Sequence, residues 1–96
     1  MLHIISTDRQ LEQYLNKLSV GDAVLFIEEA VMQLHYQSLF VKLGKLQSKS
    51  TVFYALAADT LLYGLNKGEI TPAVQLVDYA GFVALTEKHK VIKSWH

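Results

Sequence analysis

The chain has 96 residues, a length that allows one domain built around one hydrophobic core. Nine basic side chains balance nine acidic ones and 51% of the residues are hydrophobic, which excludes a disordered chain and a strongly basic nucleic-acid-binding protein. No cysteine is present, so disulfides, thiolate metal sites, cysteine nucleophiles and a persulfide carried by this chain are excluded as well.

The first residues lack the basic region of a secretory signal, and the longest apolar runs have about five residues. A membrane-spanning helix needs roughly 20 consecutive apolar residues. We therefore expect a soluble cytoplasmic protein.

The first predicted elements are a strand and a helix. Leu2–Ile5 has the apolar character of a short buried strand. Thr7 and Gln10 have the spacing of a capping box, which favours a helix start at this point. Apolar residues then recur at helical spacing, at Leu11, Tyr14, Leu15 and Leu18.

A second strand and a longer helical pattern follow. Ala23–Ile27 is continuously apolar, as expected of a strand covered on both faces, and Glu28 and Glu29 end it. The segment from Val31 to Leu46 has a mostly helical pattern that Gly44 could interrupt. The pattern fits one helix or two shorter ones.

The third unit begins with the β-branched and aromatic strand Thr51–Leu56. A short helix follows, with Asp59 in its first turn and an apolar stripe. That stripe consists of Ala58, Leu61, Leu62 and Leu65. After a turn at residues 66–69, a fourth strand is predicted from Ile70 or Val74 to Val77, with Pro72 near its start.

Asp78 can cap a last helix, and Val91–Trp95 can form a final edge strand. The apolar stripe predicted for that helix is Tyr79, Phe82, Val83 and Thr86. Strand and helix thus alternate along residues 1–96, which favours a single α/β domain. We predict a small three-layer sandwich, with a mainly parallel sheet of four or five strands and helices on both faces.

Acidic side chains follow the predicted strands at the edge where ligands of parallel sheets bind. An enzyme or ligand-binding domain would use them as acid and base. The candidates are Glu28, Glu29, Asp59 and Asp78. The simpler interpretation is that they cap helices and face solvent. No glycine-rich phosphate loop precedes any predicted helix, so no cofactor is expected.

The histidines and lysines give weaker signals. The histidines His3, His35, His89 and His96 lack the i, i+4 spacing of a common ligand pair, so we expect no metal. The lysine groups 42, 45, 49 and 88, 90, 93 could contact RNA phosphates, but Arg9 is the one arginine and no stacking motif accompanies them. Solvated helix faces are the better interpretation.

Three aromatic residues exceed what the predicted stripes need. Tyr63 lies beside the stripe of its helix, and Tyr36 and Phe40 broaden the apolar face of the preceding one. Large aromatic residues left at a surface usually mark an interface, although they could also complete a wide core. Tyr36, Phe40 and Tyr63 are therefore candidates for contact with a partner protein.

The last third of the sequence has a recognisable pattern, which joins an aspartate and a tyrosine with Phe-Val, Leu-Thr, Lys-His and a terminal tryptophan. In this chain those positions are Asp78, Tyr79, Phe82, Val83, Leu85, Thr86, Lys88, His89 and Trp95. This pattern resembles the end of the TusB/DsrH family. The start at residues 1–3, Gly21-Asp22, Tyr54–Leu56 with Asp59, and Gly64-Leu65 are similar too, so the resemblance covers nearly the whole chain.

This resemblance implies a DsrE/F/H-like α/β fold and a place in a sulfur relay. In that family TusB joins TusC and TusD in a heterohexamer with two copies of each. A persulfide passes from TusA to a cysteine of the TusD-type subunit and then to TusE, for thiolation of a tRNA wobble uridine. Some DsrH-type relatives in sulfur oxidation carry a cysteine of their own.

The missing cysteine separates this chain from the carriers, because persulfide chemistry needs a thiol. The resemblance then implies a non-catalytic subunit with TusC-like and TusD-like partners, which meets TusA and TusE through the complex and does not bind tRNA or a membrane itself. The alternative is a small α/β enzyme or ligand-binding domain that uses the strand-end carboxylates.

Overall fold

The computed structural model describes residues 1–7, 11–47 and 50–95. The described residues form strands β1 (Leu2–Ile5), β2 (Ala23–Phe26), β3 (Val52–Leu56), β4 (Val74–Val77) and β5 (Ile92–Trp95). They also form helices α1 (Leu11–Leu15), α2 (Gln37–Gln47), α3 (Ala57–Leu62) and α4 (Tyr79–Lys88). A long 3-10 helix (Glu28–His35) precedes α2, and a short one (Lys67–Glu69) precedes β4.

The strands make one parallel sheet in the order β4-β3-β2-β1-β5. The chain steps from β1 to β4 in one direction and then crosses back over the sheet, so that β5 pairs with the free side of β1. Right-handed crossovers place the connections before and after that reversal on opposite faces. The predicted parallel sheet with helices on both faces is confirmed.

Alternate strand residues fill the larger of two hydrophobic layers. Ile5, Val24, Phe26, Phe53 and Ala55 are buried in it, and the rings of Phe26 and Phe53 lie 6.3 Å apart, centroid to centroid. The helices supply the other side with Leu11, Leu15, Ala30, Val31, Leu34, Leu39 and Leu43. This layer lies between the sheet and the elements that precede β4.

The smaller layer lies under α4. Leu85 packs there against Leu2, Ala23 and Leu25, with Phe82 at its margin. The predicted stripe of this helix is wrong at two positions, because Tyr79 and Val83 are exposed. Apolar periodicity shows that a helix is amphipathic, but the packing of Phe82 and Leu85 decides which face of α4 lies against the sheet.

The second connection consists of two helices, which answers the question that its sequence pattern left open. The 3-10 helix ends at Tyr36, whose backbone is extended with φ −81° and ψ 129°, and α2 begins at the next residue. Gly44 lies inside α2 and does not interrupt it. The fourth strand begins at Val74, the later of the two predicted starts. The predicted capping partner Gln10 lies outside the described residues.

The stripe predicted for α3 is wrong in its centre. Leu61 and Leu62 are 79% and 76% exposed, whereas Thr60 is buried and Leu65 packs against the larger core layer. The cause is the helix end. Leu65 N–H donates to the Thr60 carbonyl at 2.9 Å and Gly64 N–H to the Leu61 carbonyl at 3.1 Å, which is a Schellman motif. Gly64 has φ +74°, and the turn directs Leu65 inward and leaves the two leucines outside.

Candidate functional site

The parallel sheet brings the predicted strand-end carboxylates to one edge. Glu28 has a left-handed backbone conformation with φ +52°. Its backbone N–H donates to Asp59 Oδ2 at 2.6 Å, and this hydrogen bond ties the start of the long 3-10 helix to α3. Asp78 Oδ1 accepts from the Gly81 amide at 2.8 Å, so the predicted cap of α4 is confirmed. Asp59 and Asp78 therefore accept hydrogen bonds from backbone amides, which is a structural role that acidic residues often have at helix starts.

Glu28 and Glu29 are exposed at the same edge. Within the described part of the chain, Glu28, Glu29 and Asp59 make no ion pair. A cavity of about 460 Å³ lies beside the edge strand β4, away from these carboxylates. It is lined by Lys67, Ile70, Thr71, Pro72, Val74, Gln75 and Leu76. This cavity does not bring an acid and a base together.

A polar network that sequence reasoning missed joins the amino ends of β1 and β2 to Trp95, the last residue of β5. His3 is buried, its Nε2 lies 2.9 Å from Asp22 Oδ2, and its Nδ1 accepts from Trp95 Nε1 at 3.1 Å. Because Trp95 only donates, Nδ1 carries no proton and Nε2–H donates to the carboxylate. A histidine inside an apolar strand was the available signal, since a buried ring needs polar partners.

Asp22 collects donors from several directions. The Ser19 amide donates to Oδ2 at 2.9 Å, and the N-terminal ammonium of Met1 lies 3.2 Å from Oδ1. Burial by itself raises the pKa of Asp22, but the bonds from the Ser19 amide, His3 and the N-terminus outweigh it and hold that pKa below its ordinary value. The carboxylate is charged at neutral pH and joins β1 to the start of β2, while His3 extends the network to β5 through Trp95.

Trp95 connects this network to α1. The Tyr14 ring stacks on it with centroids 4.5 Å apart, and the ammonium groups of Lys17 and Lys93 lie 5.2 Å and 4.2 Å from its centroid. The second basic cluster is thus partly engaged by an aromatic ring. Of the other lysines, 45, 88 and 90 are exposed and Lys42 is half-buried, while Lys49 lies outside the described residues.

The remaining histidines are dispersed. His35 Nδ1 donates to the Met32 carbonyl at 2.6 Å, and its ring lies against Tyr36. His89 lies at the end of α4, where desolvation, the N-terminal charge and Lys88 lower its pKa. His96 lies outside the described residues. Across residues 1–7, 11–47 and 50–95, no group of three or more metal-binding side chains comes together.

The predicted interface candidates occupy the helical layer. Tyr36 and Tyr63 are 49% and 41% exposed. Phe40 lies in α2, and its side chain lies outside what the structure describes. Among the described side chains of this layer, those of Leu61 and Leu62 are the most exposed apolar ones, although the predicted helix stripe includes both. No helix in the described segments has the length and apolar character needed to cross a bilayer.

Fold and surface together define a class: a small parallel α/β domain whose carboxylates cap backbone amides and whose helices expose large apolar side chains. The family model described as "DsrH like protein" matches residues 6–92. The chain belongs to this DsrH-like family.

Curated relatives agree with this assignment. Protein TusB of Buchnera aphidicola subsp. Baizongia pistaciae is 33% identical, and Protein TusB of Escherichia coli strain K12 is 31% identical. Each alignment covers 99% of this chain and 100% of the relative. The recognised resemblance to the TusB/DsrH family is confirmed.

Two solved structures share the fold. A protein of unknown function from Methanobacterium thermoautotrophicum superposes with a TM-score of 0.76 at 13% identity, over 98% of this chain and 96% of that one. A Thermotoga maritima protein solved by NMR gives a TM-score of 0.65 at 19% identity, over 94% and 95%. At these identities the likeness concerns the fold alone.

Proposed function

We propose that this chain is the non-catalytic TusB-like subunit of a cytoplasmic sulfur-relay complex that supports 2-thiolation of the tRNA wobble uridine. The observation that carries the proposal is the full-length similarity to proteins named TusB in a chain without cysteine. A persulfide requires a thiol, so the sulfur must travel on other subunits.

The proposed partners are those that the resemblance to the TusB/DsrH family implies. TusC-like and TusD-like subunits would join this chain in a heterohexamer with two copies of each, and TusA and TusE would meet it through the complex. The formal net charge of zero supports a chain that binds proteins rather than tRNA directly. A stable assembly of this kind buries about 2,000 Å² or more.

The candidate contacts are Tyr36, Phe40 and Tyr63. Replacing Tyr63 or Phe40 by Asp should destabilise the mixed complex more than it destabilises the fold of the isolated chain. The reason is that a charge buried at an interface lacks a partner. Analytical ultracentrifugation of the mixed complex measures the first effect and calorimetry the second. Unchanged assembly in both variants would remove these residues from the interface.

The relay role is tested by following the sulfur. Persulfide labelled with sulfur-35 is supplied to the reconstituted complex, and the subunits are separated without reductant. The proposal predicts label on the TusD-like subunit, none on this chain, and loss of wobble-uridine thiolation when this chain is omitted. Label on this chain, or full thiolation without it, would contradict the proposal.

The alternative enzyme has weaker support. It would use Glu28, Glu29, Asp59 or Asp78 as acid and base. Two of these carboxylates, those of Asp59 and Asp78, already accept hydrogen bonds from backbone amides at 2.6 Å and 2.8 Å. The described cavity beside β4 is not lined by any of them.

A further inference from the structure

The exposed part of α3 forms an apolar surface with an acidic margin, here called the α3 surface. Leu61, Leu62 and Tyr63 supply its apolar part, and Asp59 precedes Leu62 by one helical turn. The bond from the Glu28 amide to Asp59 brings residues 28 and 29 to the same margin. Two adjacent leucines that are each more than three-quarters exposed are unusual for a surface that always faces water.

Among the described residues, no lysine or arginine pairs with the acidic side chains of this surface. Its residues come from two stretches of sequence, 18–41 and 50–66, which contain no lysine or arginine. Glu28, Glu29 and Asp59 make no ion pair with the described residues. A partner that covers the leucines must therefore place positive side chains opposite this margin.

The surface is also held in one conformation. The Schellman motif at Gly64 fixes the end of α3, and the Asp59 carboxylate fixes its start against the long 3-10 helix. Binding to a preorganised surface loses little conformational entropy, so contacts made there contribute more of their energy to affinity.

We propose that the α3 surface docks a companion subunit whose contact face has an apolar centre flanked by lysine or arginine side chains. This inference rests on the proposed function, because it takes the occupant to be one of the companion subunits. RNA and anionic lipid surfaces are disfavoured, since both would meet the carboxylates of Glu28, Glu29 and Asp59, which have no cationic partner in the described part of the chain.

The apolar contact is tested with the purified mixed complex and two matched variants, Leu61→Asp and Val20→Asp. Val20 is 82% exposed in the turn before β2, at the opposite edge of the sheet. We expect Leu61→Asp to weaken the binding of a companion subunit at least about tenfold and Val20→Asp to leave it unchanged. Melting temperatures of both isolated variants should equal that of the wild type, because neither side chain is buried.

The acidic margin is tested with Glu29→Lys and the control Glu87→Lys on exposed α4. Glu29→Lys should weaken binding severalfold at low salt and reduce its salt dependence, whereas Glu87→Lys should change neither. Equal effects of a variant and its control, or no effect of Leu61→Asp, would overturn the inference while the complex itself stands.

Two further outcomes are distinguishable. Absence of any mixed complex with the wild-type chain would overturn the proposed function together with the inference. A homo-oligomer that Leu61→Asp dissociates would show that the surface binds a second copy, which also overturns the inference.

Discussion

At the scale of single residues, a largely buried polar bridge joins the first and last strands. His3 donates to Asp22 and accepts from Trp95, residues that lie 19 and 92 positions away in sequence. Each ring nitrogen has one partner of the right kind, so the neutral histidine is satisfied on both sides. The sequence could suggest that His3 needs partners, but only the pairing of β1 with β2 and β5 identifies them.

Asp22→Asn tests this bridge. We expect the free energy of unfolding at pH 7 to fall by about 1–3 kcal/mol, because charged hydrogen bonds are lost at a buried site. The lowered pKa of Asp22 means that its contribution is present above its ordinary pKa of 3.8 and is lost as pH falls through the folded value. Urea titrations from pH 7 to pH 3 should therefore show a fall in the free energy of unfolding of the wild type that the variant lacks. Parallel curves for the two proteins would contradict this account.

His89 should act in a different pH range. Its folded pKa is lowered, so the unfolded chain takes up the proton first, and stability should fall as pH drops below the ordinary value of 6.5. His89→Gln should remove this part of the pH dependence and leave the step due to Asp22 in place. Thermal melts between pH 7.5 and pH 5 measure it, and an unchanged slope in the variant would show that His89 does not contribute.

At the scale of elements, sequence patterns predicted where helices and strands occur better than which way the helices face. The predicted bounds match the observed ones for β1 and differ by one residue at one end for β2, β3 and β5. For β4 the sequence left two starts open, Ile70 and Val74, and the strand begins at the later one. The stripes of α3 and α4 were placed wrongly, at Leu61 and Leu62 in one and at Tyr79 and Val83 in the other. Both helices are short and rich in apolar residues, so several faces satisfy the periodicity and only tertiary packing selects one.

Gly64→Ala and Gly44→Ala form a pair with opposite expected signs. Gly64 has φ +74°, so alanine there should lower the free energy of unfolding by about 1 kcal/mol. Gly44 lies inside α2, and a Cβ added there would meet no atom within 4 Å, so alanine should raise the free energy of unfolding by about 0.5–1 kcal/mol. Denaturant unfolding of both variants measures the difference, and equal signs would contradict the role assigned to Gly64.

At the scale of the whole molecule, the parallel sheet separates structural from interacting parts. The polar bridge ties the amino ends of β1 and β2 to Trp95 at the end of β5, whereas the carboxyl ends of β2 and β3 and helix α3 carry the acidic and apolar surface. The sequence alone identified the fold class and the family, since both depend on element order and on local motifs. Tyr63 was predicted at this surface, but the exposure of Leu61 and Leu62 could not be, because it depends on how the Schellman turn places Leu65 in the core.

The most direct test of the central claim is the native mass of this chain, measured alone and together with TusC-like and TusD-like proteins of the same host. We predict one mixed species with two copies of each of the three chains. A chain that keeps its own mass of 10.8 kDa in the presence of both proteins would contradict the account.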